Sequence, residues 1–308
     1  MAAERWAVVV NPSKFDDIGA LRDRVIESCT TNGWSEPLWY ETTVEDPGAG
    51  QARDAVTAGA TVVCPLGGDG TVRAVASSLV GKGVPMGLLP GGTGNLLARN
   101  LKLSIDDLET ALTVALDGRD TAIDVGEVVW DDGTPDVFLV MCGMGLDADI
   151  MAGVDEKLKK KVGWWAYVLS GLRAAFRLGF AVRVKSGSDR LVTQHARTVL
   201  VANCGELTGG LLLVPEAEVD DGLLDLVLAS PRSLWGWAAI GLHFVSRSRR
   251  GHGPMVHLQD REMAVRAADP VTAQLDGDAV GEKRLMTCRV RPGALVVRLP
   301  ATGDTKDA

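Results

Sequence analysis

A glycine-rich loop, Gly-Gly-Asp-Gly-Thr at residues 67–71, carries residue types suited to binding phosphate, and it directly follows the short apolar run of residues 60–66. Glycine adds no Cβ and tolerates positive φ, so the main-chain N–H groups of such a loop can close on a phosphate. Apolar residues recur at helical spacing over residues 72–80, and a helix N-terminus there would add further N–H donors. Phosphate repels a carboxylate, so we expect Asp69 to hold Mg²⁺ or its waters. A plain strand-to-helix turn is the alternative.

Two further loops follow predicted strands in the first hundred residues. The apolar run from residue 84 leads into Pro-Gly-Gly-Thr-Gly-Asn at residues 90–95, where a hydroxyl and a carboxamide can bind phosphate or ribose oxygens. The first strand, residues 6–10, ends at Asn11-Pro12, a turn signal. The carboxyl ends of strands in an open α/β sheet share one crevice, so these loops could converge on one ligand. Neither the dinucleotide-binding Gly-x-Gly-x-x-Gly pattern nor a Walker-type Gly-Lys-Ser/Thr occurs.

A pair of carboxylates near the C-terminus, Asp276 and Asp278, flanks Gly277. In an extended strand, residues two apart point to one face of the sheet. A type I′ hairpin turn is the alternative, because Asp-Gly favours it. Phosphoryl transfer to an alcohol needs a bridging metal ion and usually a carboxylate that accepts the hydroxyl proton. This pair therefore provides candidates for that chemistry.

Together these motifs resemble the diacylglycerol kinase catalytic-domain family, which includes bacterial lipid kinases and the sphingosine and ceramide kinases. They follow the family order over nearly the whole chain, from about residue 8 to about residue 299. The resemblance implies an ATP- and Mg²⁺-dependent kinase that phosphorylates a hydroxyl of diacylglycerol or a related lipid. It also implies a layered α/β domain followed by a β-sandwich, with the active site in the cleft between them. The matching residues are Asn11-Pro12, 67–71, 90–95, Ala98-Arg99, 143–148, Gly209-Gly210, Pro215, 220–225 and 276–278.

The resemblance also implies roles for individual residues. Asp276 matches the general base, with Asp69 and Asp278 as the other catalytic carboxylates; Asp69 becomes the base if Asp276 is instead a metal ligand. Asp124 joins Asp69 in the Mg²⁺ and water network. Asp221 and the Leu223 carbonyl match a structural cation site, for which a metal-free hairpin turn is the alternative. The residues implied to bind ATP are Asn11, Gly67, Gly68, Gly70, Thr71, Gly92, Thr93 and Asn95.

Two positions depart from the family pattern. Asp278 stands where the family usually has Glu, which keeps the charge and shortens the reach by one methylene. Leu96 stands where many diacylglycerol kinases have Asp, so the resemblance does not imply a strict preference for diacylglycerol. Two other functions stay open: an NAD kinase or another kinase with a soluble substrate, and a non-catalytic lipid or nucleotide sensor that kept the fold.

The pattern along the chain predicts an α/β ATP-binding domain over residues 1–124, including a helix over residues 105–117. A mainly β lipid-substrate domain follows over residues 125–300, and the polar tail 301–308 is predicted to be disordered. The five cysteines are widely spaced in apolar surroundings and are predicted to be reduced core residues.

Two predicted helices within residues 156–178 and 234–250 are basic and hold four of the eight tryptophans. Such amphipathic segments can meet lipid headgroups, and packing on the sandwich is the alternative. The net charge of −8 gives no general reason to bind nucleic acid or an anionic membrane. No signal-peptide core or membrane-spanning run occurs, so we expect a cytoplasmic protein that contacts the inner face of the membrane transiently. Homodimer formation stays open.

Overall fold

The computed structural model describes residues 5–104, 107–145, 179–187, 190–207, 211–212, 214, 217–230 and 255–301. The chain forms two compact units, one of Met1–Asp124 with Gly293–Ala308 and one of Val125–Pro292. The predicted domain limits at residues 124 and 300 stay a prediction. Both predicted tryptophan-rich helices lie outside the described residues. So do the predicted tail after residue 301 and the family-matching residues 146–148, 209–210 and 215.

Strands alternate with helices in the first unit, as its sequence predicts. The four strands form a parallel sheet in the order β2-β1-β3-β4. The elements are β1 (Trp6–Val10), a 3₁₀ turn (Pro12–Lys14), α1 (Ile18–Asn32), β2 (Leu38–Glu41), α2 (Ala49–Thr57), β3 (Val62–Gly67), α3 (Asp69–Leu79), β4 (Leu89–Pro90), α4 (Leu96–Asn100) and α5 (Leu108–Asp117).

Buried strands and capped helix ends explain this arrangement. Every residue of β1 and of β3 is buried, as expected of central parallel strands that have both faces covered. The Asp17 side chain accepts the Ala20 N–H (2.9 Å) and begins α1, which ends at Gly33 in the left-handed region (φ 73°). Asp107 caps α5, which begins at Leu108. Residue 105, where the sequence predicts the helix to begin, lies outside the described residues.

The second unit is mainly antiparallel β. Strand β5 begins in the first unit and continues into the second, and strand β16 begins in the second unit and ends in the first. Among the described residues the main sheet has ten strands, with the path β14-β13-β10-β7-β15-β16-β5-β6 and with β8 and β9 beside β15. The bounds are β5 (Arg119–Trp130), β6 (Pro135–Phe138), β7 (Met141–Gly145), β8 (Phe180–Ser186), β9 (Arg190–Ala196), β10 (Thr198–Ala202), β11 (Glu206–Leu207), β12 (Leu211–Leu212), β13 (Leu224–Ala229), β14 (Met255–Asp260), β15 (Glu262–Leu275) and β16 (Asp278–Leu299).

Each unit has its own hydrophobic core, and the predicted order of an α/β domain before a mainly β region is confirmed. All five cysteines are buried free thiols. Within the described ranges, none of the helices is both long enough and apolar enough to cross a bilayer.

Candidate functional site

The three loops predicted from the sequence lie at the same edge of the parallel sheet. The Asn11 N–H donates to the Leu66 carbonyl (3.0 Å), which joins the end of β1 to the end of β3. The Gly91 N–H donates to the Gly67 carbonyl (3.0 Å), which joins the end of β3 to the loop after β4. Parallel neighbours end at one edge, so this topology brings the loops together as the sequence indicates.

Close backbone packing explains the glycines of the two glycine-rich loops. A Cβ on Gly92 would lie 2.7 Å from the Gly68 Cα, and a Cβ on Gly67 would lie 2.8 Å from the Thr71 Oγ1. None of the glycines in these loops has a positive φ, so the missing Cβ, and not an unusual backbone conformation, is what the loops use. Gly68 differs from Gly92, because a Cβ there would meet nothing closer than 3.9 Å.

Asn95 has the only positive φ in the second loop (47°), and its side chain holds that loop closed. Its Oδ1 accepts the Gly92 N–H (3.2 Å), and its Nδ2 donates to the Gly92 carbonyl (2.8 Å). The residue is 7% exposed. The Asn95 carboxamide therefore stabilises the conformation of the loop. Its contact with ATP stays a prediction.

Asp69 is fixed in place by the second loop. It is the first residue of α3, and its Oδ1 accepts the N–H of Leu96 (2.6 Å), the first residue of α4. A Cβ on Gly94 would overlap the Asp69 Oδ2, so Gly94 makes room for the carboxylate. Asp69 is half-buried at the beginning of an eleven-residue helix, where the partial positive charge of the helix end stabilises it.

The first loop, after β1, places Asn11 and Lys14 beside the glycine-rich loop after β3. Asn11 Nδ2 donates to the Thr71 hydroxyl (3.4 Å), and Asn11 Oδ1 accepts from the N–H and the hydroxyl of Ser13. The Lys14 Cε lies 3.9 Å from the place of a Cβ on Gly68, so a cation stands beside the glycine turn. Lys14 is not among the residues that the sequence predicts to bind ATP. Its place just after a polar loop at a strand end was the available signal.

The Asp276-Gly277 pair forms a hairpin turn between β15 and β16. Both residues have positive φ (46° and 89°), and Leu275 pairs with Asp278 across the turn. The prediction that both carboxylates extend from one face of a strand is therefore wrong, and the type I′ alternative is correct. A tight hairpin favours this turn because its twist matches that of the strands.

The two carboxylates of this turn have opposite environments. Asp276 is 5% exposed and accepts hydrogen bonds from the N–H groups of Leu139 (3.0 Å), Val140 (2.9 Å) and Met141 (3.0 Å). Asp278 is exposed. Sequence alone gives no sign of this difference, because the donors are more than 130 residues away from Asp276.

Asp69 is the predicted metal ligand whose surroundings best fit Mg²⁺. Kinases commonly bind this ion through one or two carboxylates together with substrate phosphates and water. No group of three or more His, Cys, Asp or Glu side chains in the described part of the chain could hold a metal ion. Asp69 is half-buried beside the two glycine-rich loops, and its role as a Mg²⁺ ligand stays a prediction. Asp124 is 1% exposed and its Oδ1 accepts the Gly293 N–H (2.7 Å).

At the predicted cation site, both carboxylate oxygens of Asp221 accept hydrogen bonds from nearby residues. Asp221 Oδ1 accepts the Leu223 N–H (2.9 Å), and Gln259 Nε2 donates to Asp221 Oδ2 (3.3 Å). These contacts shape a turn before β13. The metal roles of Asp221, Leu223 and Asp124 stay predictions.

Comparison with known proteins agrees with the motifs. The diacylglycerol kinase catalytic domain matches residues 5–128, and the YegS C-terminal NAD kinase beta sandwich-like domain matches residues 140–299. A protein of Pseudomonas aeruginosa named "Probable lipid kinase YegS-like" is 33% identical over 251 residues, which cover 80% of each chain. One of Pseudomonas fluorescens with the same name is 31% identical over 310 residues and covers 97% of this chain and 94% of its own.

Two solved structures share the fold. A diacylglycerol kinase from Bacillus anthracis superposes with a TM-score of 0.71 at 16% identity, covering 97% of both chains. A yeast NADH kinase complexed with NADH gives a TM-score of 0.52 at 11% identity, covering 99% of this chain and 86% of that one. Identities this low show the fold alone. The two domain matches and the long alignments with the curated relatives show more, and on their basis the chain belongs to the diacylglycerol kinase catalytic-domain family, as a kinase of its YegS-like branch.

Proposed function

We propose that the protein is an ATP- and Mg²⁺-dependent lipid kinase that transfers the γ-phosphate to a hydroxyl of diacylglycerol or a related lipid. The observation that carries this proposal is the meeting of three strand-end loops around Asp69, with two glycine turns packed backbone to backbone. The relatives named as lipid kinases support the substrate class.

The first unit binds ATP in this proposal. Gly67, Gly68 and Gly70 let the phosphates approach the backbone at the beginning of α3, where N–H groups and the helix dipole favour an anion. Thr71, Thr93 and Asn11 shape or line the same loops, and Lys14 supplies positive charge beside Gly68. Asp69 would hold Mg²⁺, which when bound neutralises phosphate charge.

The acceptor side of the reaction needs a group that takes the hydroxyl proton. The resemblance implies Asp276 as that group, with Asp69 as the alternative. Asp278 is the exposed carboxylate of the same turn and would support the Mg²⁺ and water network. A lipid substrate lies in the membrane, so the enzyme must bind the membrane surface to reach it. We therefore propose a cytoplasmic enzyme that binds the inner face of the membrane transiently.

A transfer assay tests the proposed function. Purified protein is incubated with γ-labelled ATP and Mg²⁺ against micelles of diacylglycerol, monoacylglycerol, ceramide, sphingosine or undecaprenol, with NAD as the soluble control. We expect label in one or more of the lipids and none in NAD. Label in NAD alone would indicate a soluble-substrate kinase, and ATP binding without any transfer would indicate a sensor.

Replacing Trp164 and Trp165, which lie outside the described residues, tests the membrane contact. The double change to Ser should weaken binding to phospholipid vesicles and raise the apparent KM for a long-chain lipid, because interfacial aromatic residues are lost. Turnover of a short-chain soluble analogue should stay the same and serves as the control. Equal losses on both substrates would show that these tryptophans pack inside the protein.

A further inference from the structure

Two rows of residues cross one face of the antiparallel sheet in the second unit. In the strand order β9-β8-β15-β16 each row is a set of directly paired residues, and alternate residues of β8, β15 and β16 belong to the hydrophobic core. Three residues of the two rows are exposed cations, and none is acidic. We call these rows the basic sheet face: Leu191, Lys185, Ala264 and Thr287 in one row, and Thr193, Arg183, Arg266 and Leu285 in the other.

The three cations of the basic sheet face repel one another. Arg183 and Arg266 are directly opposite on neighbouring strands, and Lys185 follows Arg183 by two residues on the same face. Like charges in directly opposite positions destabilise a sheet, because their Cβ atoms lie only about 5 Å apart. Among the described residues, none of the three cations has an ion-pair or hydrogen-bond partner for its side chain. An anionic partner would therefore remove a repulsion that the folded chain leaves in place.

Beside the basic sheet face, two arginines of β16 are compensated by carboxylates. Glu262 is directly opposite Arg289. Glu127 accepts hydrogen bonds from Arg289 (3.3 Å) and Arg291 (3.1 Å). The positive charge of the basic sheet face is therefore a local feature, on a chain whose net charge is −8.

The width of the face and its apolar residues favour a lipid surface over a nucleic acid. Neighbouring strands lie about 4.8 Å apart, so β9 and β16 are about 14 Å apart, which exceeds the roughly 12 Å width of the DNA major groove. No aromatic residue belongs to the face, so the bases of a single strand have nothing to stack on. Leu191 is 61% exposed and is directly opposite Lys185. Exposed apolar side chains beside cations suit a surface that contacts lipid headgroups and the acyl chains beneath them.

We propose that the basic sheet face docks on the anionic surface of the membrane. The proposal rests on the proposed lipid kinase function, and it adds a contact made by the strands to the one proposed for the tryptophan-rich segments. Each Lys or Arg near an anionic leaflet strengthens binding by about fivefold, and the attraction extends over about one Debye length, roughly 8 Å at physiological salt. Three cations together should contribute roughly 10²-fold.

Vesicle binding by the full chain tests this proposal. The face variant combines Arg183→Gln, Lys185→Gln and Arg266→Gln. On vesicles of phosphatidylcholine with phosphatidylglycerol at low salt, we expect it to bind roughly 10²-fold more weakly than the wild type. On vesicles of phosphatidylcholine alone the two proteins should bind equally, because the neutral surface does not attract the cations. Added salt should weaken binding of the wild type to the anionic vesicles much more than binding of the face variant.

The matched control removes the same charge from the first unit. It combines Arg24→Gln, Lys82→Gln and Lys102→Gln, which change three exposed cations, and it should bind the anionic vesicles as the wild type does. Equal binding of the face variant and the wild type to anionic vesicles would overturn the proposal. So would a face variant that binds these vesicles normally and loses binding to duplex DNA, which would assign the face to a nucleic acid.

Arg266→Glu separates docking from folding. It places a carboxylate directly opposite Arg183, so the melting temperature should stay the same or rise. Binding to anionic vesicles should weaken roughly tenfold or more, because a cation becomes an anion. A lower melting temperature with unchanged vesicle binding would show that Arg266 serves the sheet and would overturn the proposal. If the wild type phosphorylates no lipid, the proposed function fails, while vesicle binding still decides whether the face docks on a membrane.

Discussion

Asp69→Asn is expected to lower turnover by about 10²- to 10³-fold with the fold intact, the size of effect seen when one electrostatic group is removed from a reaction centre. The carboxamide is neutral and is a poor ligand for Mg²⁺, so the phosphates lose their compensating charge. Its Oδ1 can still accept the Leu96 N–H, which keeps the two loops joined. Steady-state kinetics and thermal melting of the variant measure both parts of this result.

The matched control is Asp54→Asn, an exposed carboxylate on α2 of the same unit. It removes the same charge away from the loops, so kcat should not change. Normal turnover of a well-folded Asp69→Asn protein would show that Asp69 neither binds the metal ion nor takes part in proton transfer.

Gly68→Ala should weaken ATP binding by roughly tenfold or more without changing the melting temperature. The added methyl group has room, since its nearest neighbours are 3.9 Å away, and it would stand where the phosphates approach. Gly92→Ala should behave differently, because its Cβ would lie 2.7 Å from the Gly68 Cα. We expect the melting temperature of that variant to fall by about 3 °C or more as the loops separate.

Calorimetric titration with ATP and thermal melting on both variants separate the two effects. If Gly68→Ala binds ATP as tightly as the wild type, the turn after β3 is not the phosphate site. If Gly92→Ala melts normally, the close packing of the two turns does not contribute to stability.

The sequence was sufficient to place the loops, because their positions follow from topology. An apolar strand followed by a polar loop recurs at Asn11, at Gly67 and at Pro90, with glycines in the second and third loops, and parallel strands must end at a common edge. The contacts within that edge were not predictable. The bond between Asp69 and the Leu96 N–H joins residues 27 positions apart, and it depends on the path of the second loop.

The carboxylate pair at residues 276 and 278 shows where sequence reasoning stops. Asp-Gly is compatible with a strand or with a type I′ turn, and only the pairing of Leu275 with Asp278 decides between them. The turn places one carboxylate in the interior and one in solvent. The donors that hold Asp276 come from the β6–β7 connection, and no local pattern near residue 276 indicates them.

Hydrogen exchange with and without MgATP tests the central claim, that the three loops form the nucleotide site. The account predicts slower exchange in peptides covering residues 11–15, 66–73 and 89–97 when MgATP is added, and no change in β8 (Phe180–Ser186) of the second unit. Unchanged exchange in all three loops at a saturating concentration of MgATP, with slowing elsewhere in the chain, would contradict it.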